Sequence, residues 1–316
     1  MAELQGHARG LAQRRQAGQE GGVSRLYRGM LDRYAALKPA ASHGSRWRNI
    51  RERAMTVNRT RISAAGSSLN LFCLPYAGGS ATIYREWSAH LPKWIKLIPL
   101  HIPGRGVRHR QPLVHHWPEL LDLLLADMRA DLDQPFAIFG HSMGALIGIE
   151  LAYAVRERYG ESPMWFGASA CVAPSRRKPA LDWLTCPEGA LLDEMRLLNG
   201  TAEELLLNQD LMNLVLPYLR ADFHLCGSYQ YRARTPLACP VLAIGGSADE
   251  ISRDALNLSA WSRETSGTFQ LETLDAGHFF INTHRNAVIE LLVESLRRTV
   301  TAPHQRLIAV APHTFI

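Results

Sequence analysis

The sequence predicts an α/β domain, a mostly parallel central sheet with helices on both of its faces. Three observations predict it. Short apolar runs ended by Gly or Pro alternate with longer stretches of helical periodicity, and strands that alternate with helices pair in parallel through crossover connections. Residues 175–235 interrupt that alternation with helical patterns only, as an insertion laid over the strand ends would. Between them, Gly140-His141-Ser142-Met143-Gly144 forms a turn from an apolar strand into an almost wholly apolar helix.

The elements follow in order. Leu69–Leu74 is a short apolar run stopped by Pro75, the pattern of a buried strand. Ala77-Gly78-Gly79-Ser80 is a loop whose serine can cap a helix starting near Ser80. Lys96–Ile102 reads as a second strand ended by Pro103-Gly104. Pro118–Leu132 places Leu120, Leu121, Leu124, Leu125 and Met128 on one helical face. Phe136–Phe139 is a strand, Met143–Tyr153 a buried helix and Met164–Val172 a further strand. The insertion offers helices at Glu188–Leu198, Glu203–Leu207 and Asp210–Phe223. Alternation then resumes with the strand Val241–Ile244, the helix Asp254–Arg263, the strand Phe269–Leu274 and the helix Phe279–Arg298.

Composition bounds the rest. A hydrophobic fraction of 47% in 316 residues supports a sizeable core. No apolar run reaches the ~18 residues that cross a bilayer, and no secretory signal opens the chain. The expected location is therefore the cytoplasm, without membrane attachment. The net charge of +6 is concentrated in residues 1–54, which hold eleven Lys+Arg against four Asp+Glu. Residues 1–66 are expected to be a basic, disordered extension, and residues 1–54 dispensable, since Met55 offers a start of its own. Residues 67–300 form the domain, with the lid at about 175–235, and 301–316 a tail. Nucleic-acid binding is not expected, because only the extension is basic. Five scattered cysteines with no C-x-x-C pair give neither a disulfide framework nor a zinc site, and Cys73 and Cys171 read as core residues. No phosphate-cradling or complete dinucleotide motif is present, so neither metal nor cofactor is expected.

Gly140–Gly144 matches G-x-S-x-G. Alone this is a weak signal. Between a strand and a helix it is the nucleophile elbow of the α/β-hydrolase fold, which lifts a serine hydroxyl above the sheet at a helix N-terminus. Ser142 is the expected nucleophile. A serine hydroxyl needs a base, and the base needs an orienting acid, in the chain order Ser, Asp or Glu, His. His278 follows the last strand and is the expected base. His101, His109, His115 and His116 precede the serine, His224 lies in the insertion, and His304 and His313 lie in the tail. Asp249, on the loop after Val241–Ile244, is the expected acid, with Glu250 and Asp275 as rivals. The oxyanion needs two backbone N–H donors. Met143 should supply one, and Tyr76 or Ala77 the other. Ser80 reads as a helix cap.

These residues resemble a family. Leu74-Pro75-Tyr76-Ala77-Gly78-Gly79, Pro103-Gly104-Arg105, Phe139–Gly144, Pro217–Phe223, Gly245–Asp249 and Gly277–Phe280 are similar, in order and spacing, to the type II thioesterases of nonribosomal peptide and polyketide synthases. The likeness spans about Leu69 to Arg298. It implies hydrolysis of acyl groups from the phosphopantetheine arm of an acyl or peptidyl carrier protein, clearing misprimed or stalled chains, with the insertion as a lid over the acyl channel. A monomer is expected. The sequence departs from the family pattern at residues 1–66 and at Leu198-Asn199-Gly200-Thr201, where Gly-Gly-Thr is usual. Arg105, Arg176 and Arg177 could meet an acidic carrier face or simply be solvated. Two other readings stay open: a general serine esterase or acyltransferase, and a non-catalytic carrier-binding module.

Overall fold

The computed structural model describes residues 68–178, 183–198 and 208–301. The expected extension at 1–66, the helix at Glu203–Leu207, the departure at Asn199-Gly200-Thr201 and the tail histidines His304 and His313 lie outside the described residues.

Among the described residues six strands form one sheet: β1 (Leu69–Leu74), β2 (Ile95–Pro99), β3 (Phe136–His141), β4 (Phe166–Ser169), β5 (Val241–Gly246) and β6 (Phe269–Leu274). Their order is β2-β1-β3-β4-β5-β6, and every neighbouring pair is parallel. Strand alternation sorts the core into two layers, because successive side chains point to opposite faces. Phe72, Leu74, Phe136, Ile138, Val241 and Ala243 pack on one face. Leu71, Cys73, Ala137, Phe139, Leu242 and Ile244 pack on the other.

The first face is covered by α1 (Trp117–Met128) and α2 (Met143–Tyr159). The second is covered by the C-terminal helix, which buries Val288, Ile289, Leu292 and Leu296. The expected insertion supplies α3 (Glu188–Leu198) and α4 (Gln209–Ser228) and, among the described residues, no strand. These two helices bury an apolar cluster of their own, including Leu191, Met195, Met212, Leu216 and Phe223.

Several elements differ in length from the sequence expectation. The helix expected near Ser80 is one short 3-10 turn, Ala81–Tyr84, and Ser80 does not cap it. Its hydroxyl bonds instead to that of Thr82 at 2.6 Å. The strand expected over Met164–Val172 pairs only over Phe166–Ser169, since Ala170 takes φ 50° and leaves the extended region. The helix expected at Asp254–Arg263 is α5 (Ala255–Ser259) followed by a 3-10 stretch. The C-terminal helix breaks at His284 into α6 (Phe280–Thr283) and α7 (Arg285–Thr301).

β1 has β2 on one side and β3 on the other, so the chain reverses its direction of progress across the sheet there. Ligands of open parallel sheets bind beyond the strand ends at such a switch point. The loop after β1 and the turn after β3 both open onto it. Among the described residues no helix is long and apolar enough to cross a membrane.

Candidate active site

The turn after β3 is strained, and its neighbours explain why. Ser142 takes φ 55° and ψ −118°, a conformation side chains rarely adopt. The strand runs so directly into α2 that a Cβ on Gly140 would lie 2.1 Å from the Gly144 carbonyl oxygen. A Cβ on Gly144 would lie 2.2 Å from the Leu74 carbonyl oxygen on β1. The two glycines of the motif are therefore fixed by backbone proximity. Met143 begins α2, and its N–H is one of the helix's unpaired N-terminal donors.

His278 lies on the loop after β6 and is buried at 4% exposure. Its Nε2 is 3.0 Å from Ser142 Oγ, and its Nδ1 is 3.0 Å from Asp249 Oδ2. Three side chains from the ends of β3, β5 and β6 thus meet in one line. The rivals for the acid are engaged elsewhere: Glu250 pairs with Arg253 at 2.8 Å, and Asp275 accepts from Ser247 Oγ at 2.7 Å.

Burial would raise the Asp249 carboxyl, but the His278 imidazole, the Ser252 hydroxyl and the Ile251 N–H outweigh it and hold the group below its ordinary range. An ionised Asp249 can only accept. Nδ1 of His278 therefore carries the proton, and in the neutral ring the Nε2 lone pair faces the serine hydroxyl.

Some of the supporting residues escaped sequence reasoning. Ser252 donates to Asp249 Oδ2 and accepts the Gly246 N–H at 3.1 Å, tying the Asp249 carboxylate to the end of β5. His141, inside the motif itself, is fully buried, with Nε2 2.9 Å from the His278 carbonyl and Nδ1 2.9 Å from Ser169 Oγ. Burial first, and the nearby His278 second, lower His141 from 6.5 to about 3. Its ring is neutral; Nε2 donates to the carbonyl and Nδ1 accepts from the serine. Position 141 is an unspecified x of the motif, so no local signal marked it.

Arg105 is corrected outright. It is neither solvated nor available to a partner, because it is 6% exposed and ion-paired through both terminal nitrogens with Asp222 of α4. Arg176 is exposed, and Arg177 is half-buried and donates to the Cys226 carbonyl at 3.1 Å.

In the loop after β1, the Gly78 N–H is taken by Asp222 at 2.7 Å and the Gly79 N–H by the Tyr76 carbonyl at 2.9 Å. That leaves Tyr76 and Ala77 as the loop's candidate donors, as the sequence left them. Beside this loop is a cavity of about 200 Å³, walled by Ala77, Met195, Met212, Leu219, Phe223 and Phe279. A second, more polar recess of about 220 Å³ borders Asp249, Glu250 and His278. Leu198 and Phe279 line both. A serine hydroxyl, an imidazole and an anchored carboxylate in line beside an apolar recess form a set of groups suited to acyl transfer from a substrate with an apolar chain. Among the described residues no group of three or more His, Cys, Asp or Glu could hold a metal.

The family pattern of the thioesterase domain matches residues 69–296. The chain belongs to the thioesterase family. The thioesterase is 35% identical over 250 residues to the gramicidin S biosynthesis protein GrsT of Aneurinibacillus migulanus, covering 78% of this chain and 97% of that one. Among solved structures it is similar to ClbQ from the colibactin NRPS/PKS pathway, with 30% identity and a TM-score of 0.69 over 74% of this chain and 98% of ClbQ. It is also similar to the type II thioesterase BorB from the borrelidin biosynthetic cluster, with 36% identity and a TM-score of 0.66 over 74% and 95% of the two chains. These likenesses agree with the type II resemblance read from the motifs and with the α/β-hydrolase fold.

Proposed function

We propose that this thioesterase hydrolyses acyl or aminoacyl thioesters held on the phosphopantetheine arm of a carrier protein, clearing misprimed or stalled chains from a synthase. Its place of work is the cytoplasm, as a monomer. The observation that carries the reading is the unbroken line from Ser142 Oγ through His278 to Asp249, at 3.0 Å for each contact, beside an apolar recess. The likeness to GrsT and ClbQ supports a carrier-bound substrate.

The mechanism follows from the geometry. His278 Nε2 takes the Ser142 proton as Oγ attacks the thioester carbonyl carbon. Asp249 holds the ring's tautomer and stabilises the imidazolium. The N–H of Met143, with that of Tyr76 or Ala77, receives the oxyanion. Collapse of the tetrahedral intermediate breaks the C–S bond, and His278 gives its proton to the departing thiolate, which leaves as the free thiol. His278 then deprotonates a water that attacks the acyl-enzyme. The acid leaves, and Ser142 recovers its proton.

The test compares acyl-carrier thioesters with simple oxygen esters of the same acyl group. Thioesters are expected to turn over faster, Ser142→Ala to abolish that turnover, and a fluorophosphonate probe to label only the parent. Faster oxygen-ester turnover would favour a general esterase, and absence of labelling a non-catalytic module. For the domain division, a chain beginning at Met55 is expected to keep full activity and thermal stability.

A further inference from the structure

One buried ion pair lies off the Ser142–His278–Asp249 line yet grips the loop beside it. The Arg105 and Asp222 side chains are 5% and 1% exposed. The guanidinium meets both carboxylate oxygens, and the Tyr218 ring covers it at 5.2 Å. Both partners also bond to the backbone of one short segment. Asp222 Oδ2 accepts the Gly78 N–H at 2.7 Å, and Arg105 donates to the Gly79 carbonyl at 3.1 Å. The lid helix α4 presses directly on the same loop, since a Cβ on Gly78, at φ +78°, would lie 2.6 Å from Leu219. A buried ion pair is seldom more stabilising than an apolar pair of similar volume, so stability is a weak reason for this one.

We propose that the Arg105–Asp222 pair is a positioning clamp for the oxyanion loop. It fixes the Gly78–Gly79 segment so that the loop's donor, at Ala77 or Tyr76, is held on the oxygen that gains charge. The clamp rests on the proposed role of Ser142. The oxyanion exists only at the transition state, so a loosened clamp lowers kcat and leaves KM nearly unchanged.

Asp222→Asn strands a buried guanidinium and can unfold the protein, so the deciding variant is Arg105→Met/Asp222→Leu, which removes both charges and keeps the volume. Arg105→Lys, which keeps the charge and gives up the fork, is the milder companion. The readouts are Tm, kcat and KM on an acyl-carrier thioester, and affinity for an acyl trifluoromethyl ketone, which forms an oxyanion on the serine.

The double variant is expected to keep a Tm near the parent's while kcat falls about 10- to 100-fold, KM stays within about twofold and ketone affinity falls in step with kcat. Arg105→Lys is expected to show the same pattern more weakly. Parent-like kcat and ketone affinity in the folded variants would overturn the clamp. So would a rise in KM alone, which would mean that the pair shapes the acyl recess. Fluorophosphonate labelling of the parent separates the two failures. An unlabelled parent refutes the Ser142 reading and the clamp with it, whereas a labelled parent with fully active variants refutes the clamp alone.

Discussion

His141 Nε2 donates to the backbone carbonyl of His278 at 2.9 Å, joining the strand that leads into Ser142 to the loop that carries His278. The two residues are 137 positions apart, and the imidazole is fully buried. The bond requires a proton on Nε2, and burial, which outweighs the pull of that bond towards the charged form, keeps the ring neutral by lowering His141 to about 3.

Acid sensitivity follows from this burial. In the unfolded chain His141 binds a proton below its ordinary 6.5, while in the folded chain it stays neutral down to about 3. Between those limits the unfolded state holds the extra proton. His141 therefore stabilises the fold above 6.5, and that stabilisation drains away as the pH falls towards 3, by about 1.4 kcal/mol per pH unit. Urea unfolding of the parent and of His141→Asn across this range checks it. The variant is expected to be less stable at pH 7 and to lose less stability on acidification. Equal slopes would rule the account out.

Asp249 and Ser252 should separate by size of effect. Asp249→Asn disturbs the His278 tautomer and is expected to lower kcat by about 10³- to 10⁴-fold. Ser252→Ala removes one hydrogen bond to the carboxylate and is expected to cost about tenfold. Steady-state kinetics on one acyl-carrier thioester measures both, and an equal loss in the two would contradict the order proposed.

Gly144→Ala should fail through geometry. Its Cβ would stand 2.2 Å from a β1 carbonyl oxygen, where no flexible side-chain end can yield. Destabilisation at the top of the ~1–3 kcal/mol range for overpacking is expected, with loss of activity. Thermal melts beside Gly189→Ala, where a Cβ meets nothing within 4 Å, supply the control.

Filling the apolar recess should discriminate by chain length. Met195→Trp narrows a cavity of about 200 Å³. If it excludes two methylenes, at about 0.8 kcal/mol each, kcat/KM for longer acyl thioesters drops by about tenfold or more. Acetyl thioester turnover is expected to stay near the parent's. A uniform loss across chain lengths would mean that the acyl group does not enter there.

The fold was legible in the sequence because its signals are local. Leu69–Leu74 and Phe269–Leu274 read as strands from a few apolar residues and a breaker, and Glu188–Leu198 from its helical spacing. That Ser142, Asp249 and His278 would come together was legible in part, because strand-end loops of this fold converge; the structure brings the three side chains into one line, 3.0 Å at each contact. Lengths were less legible. Nothing local announces that Ala170 turns to φ 50° or that the C-terminal helix breaks at His284.

The sequence by itself determined the strand–helix alternation, the serine turn and the order of its partners, since each depends on neighbouring residues or on simple sequence order. Only the tertiary structure decided which carboxylate faces His278, why His141 is buried neutral, and that Arg105 belongs to Asp222 rather than to solvent. Those outcomes depend on distance, burial and the direction of hydrogen bonds between residues up to 137 positions apart, and sequence spacing does not encode them.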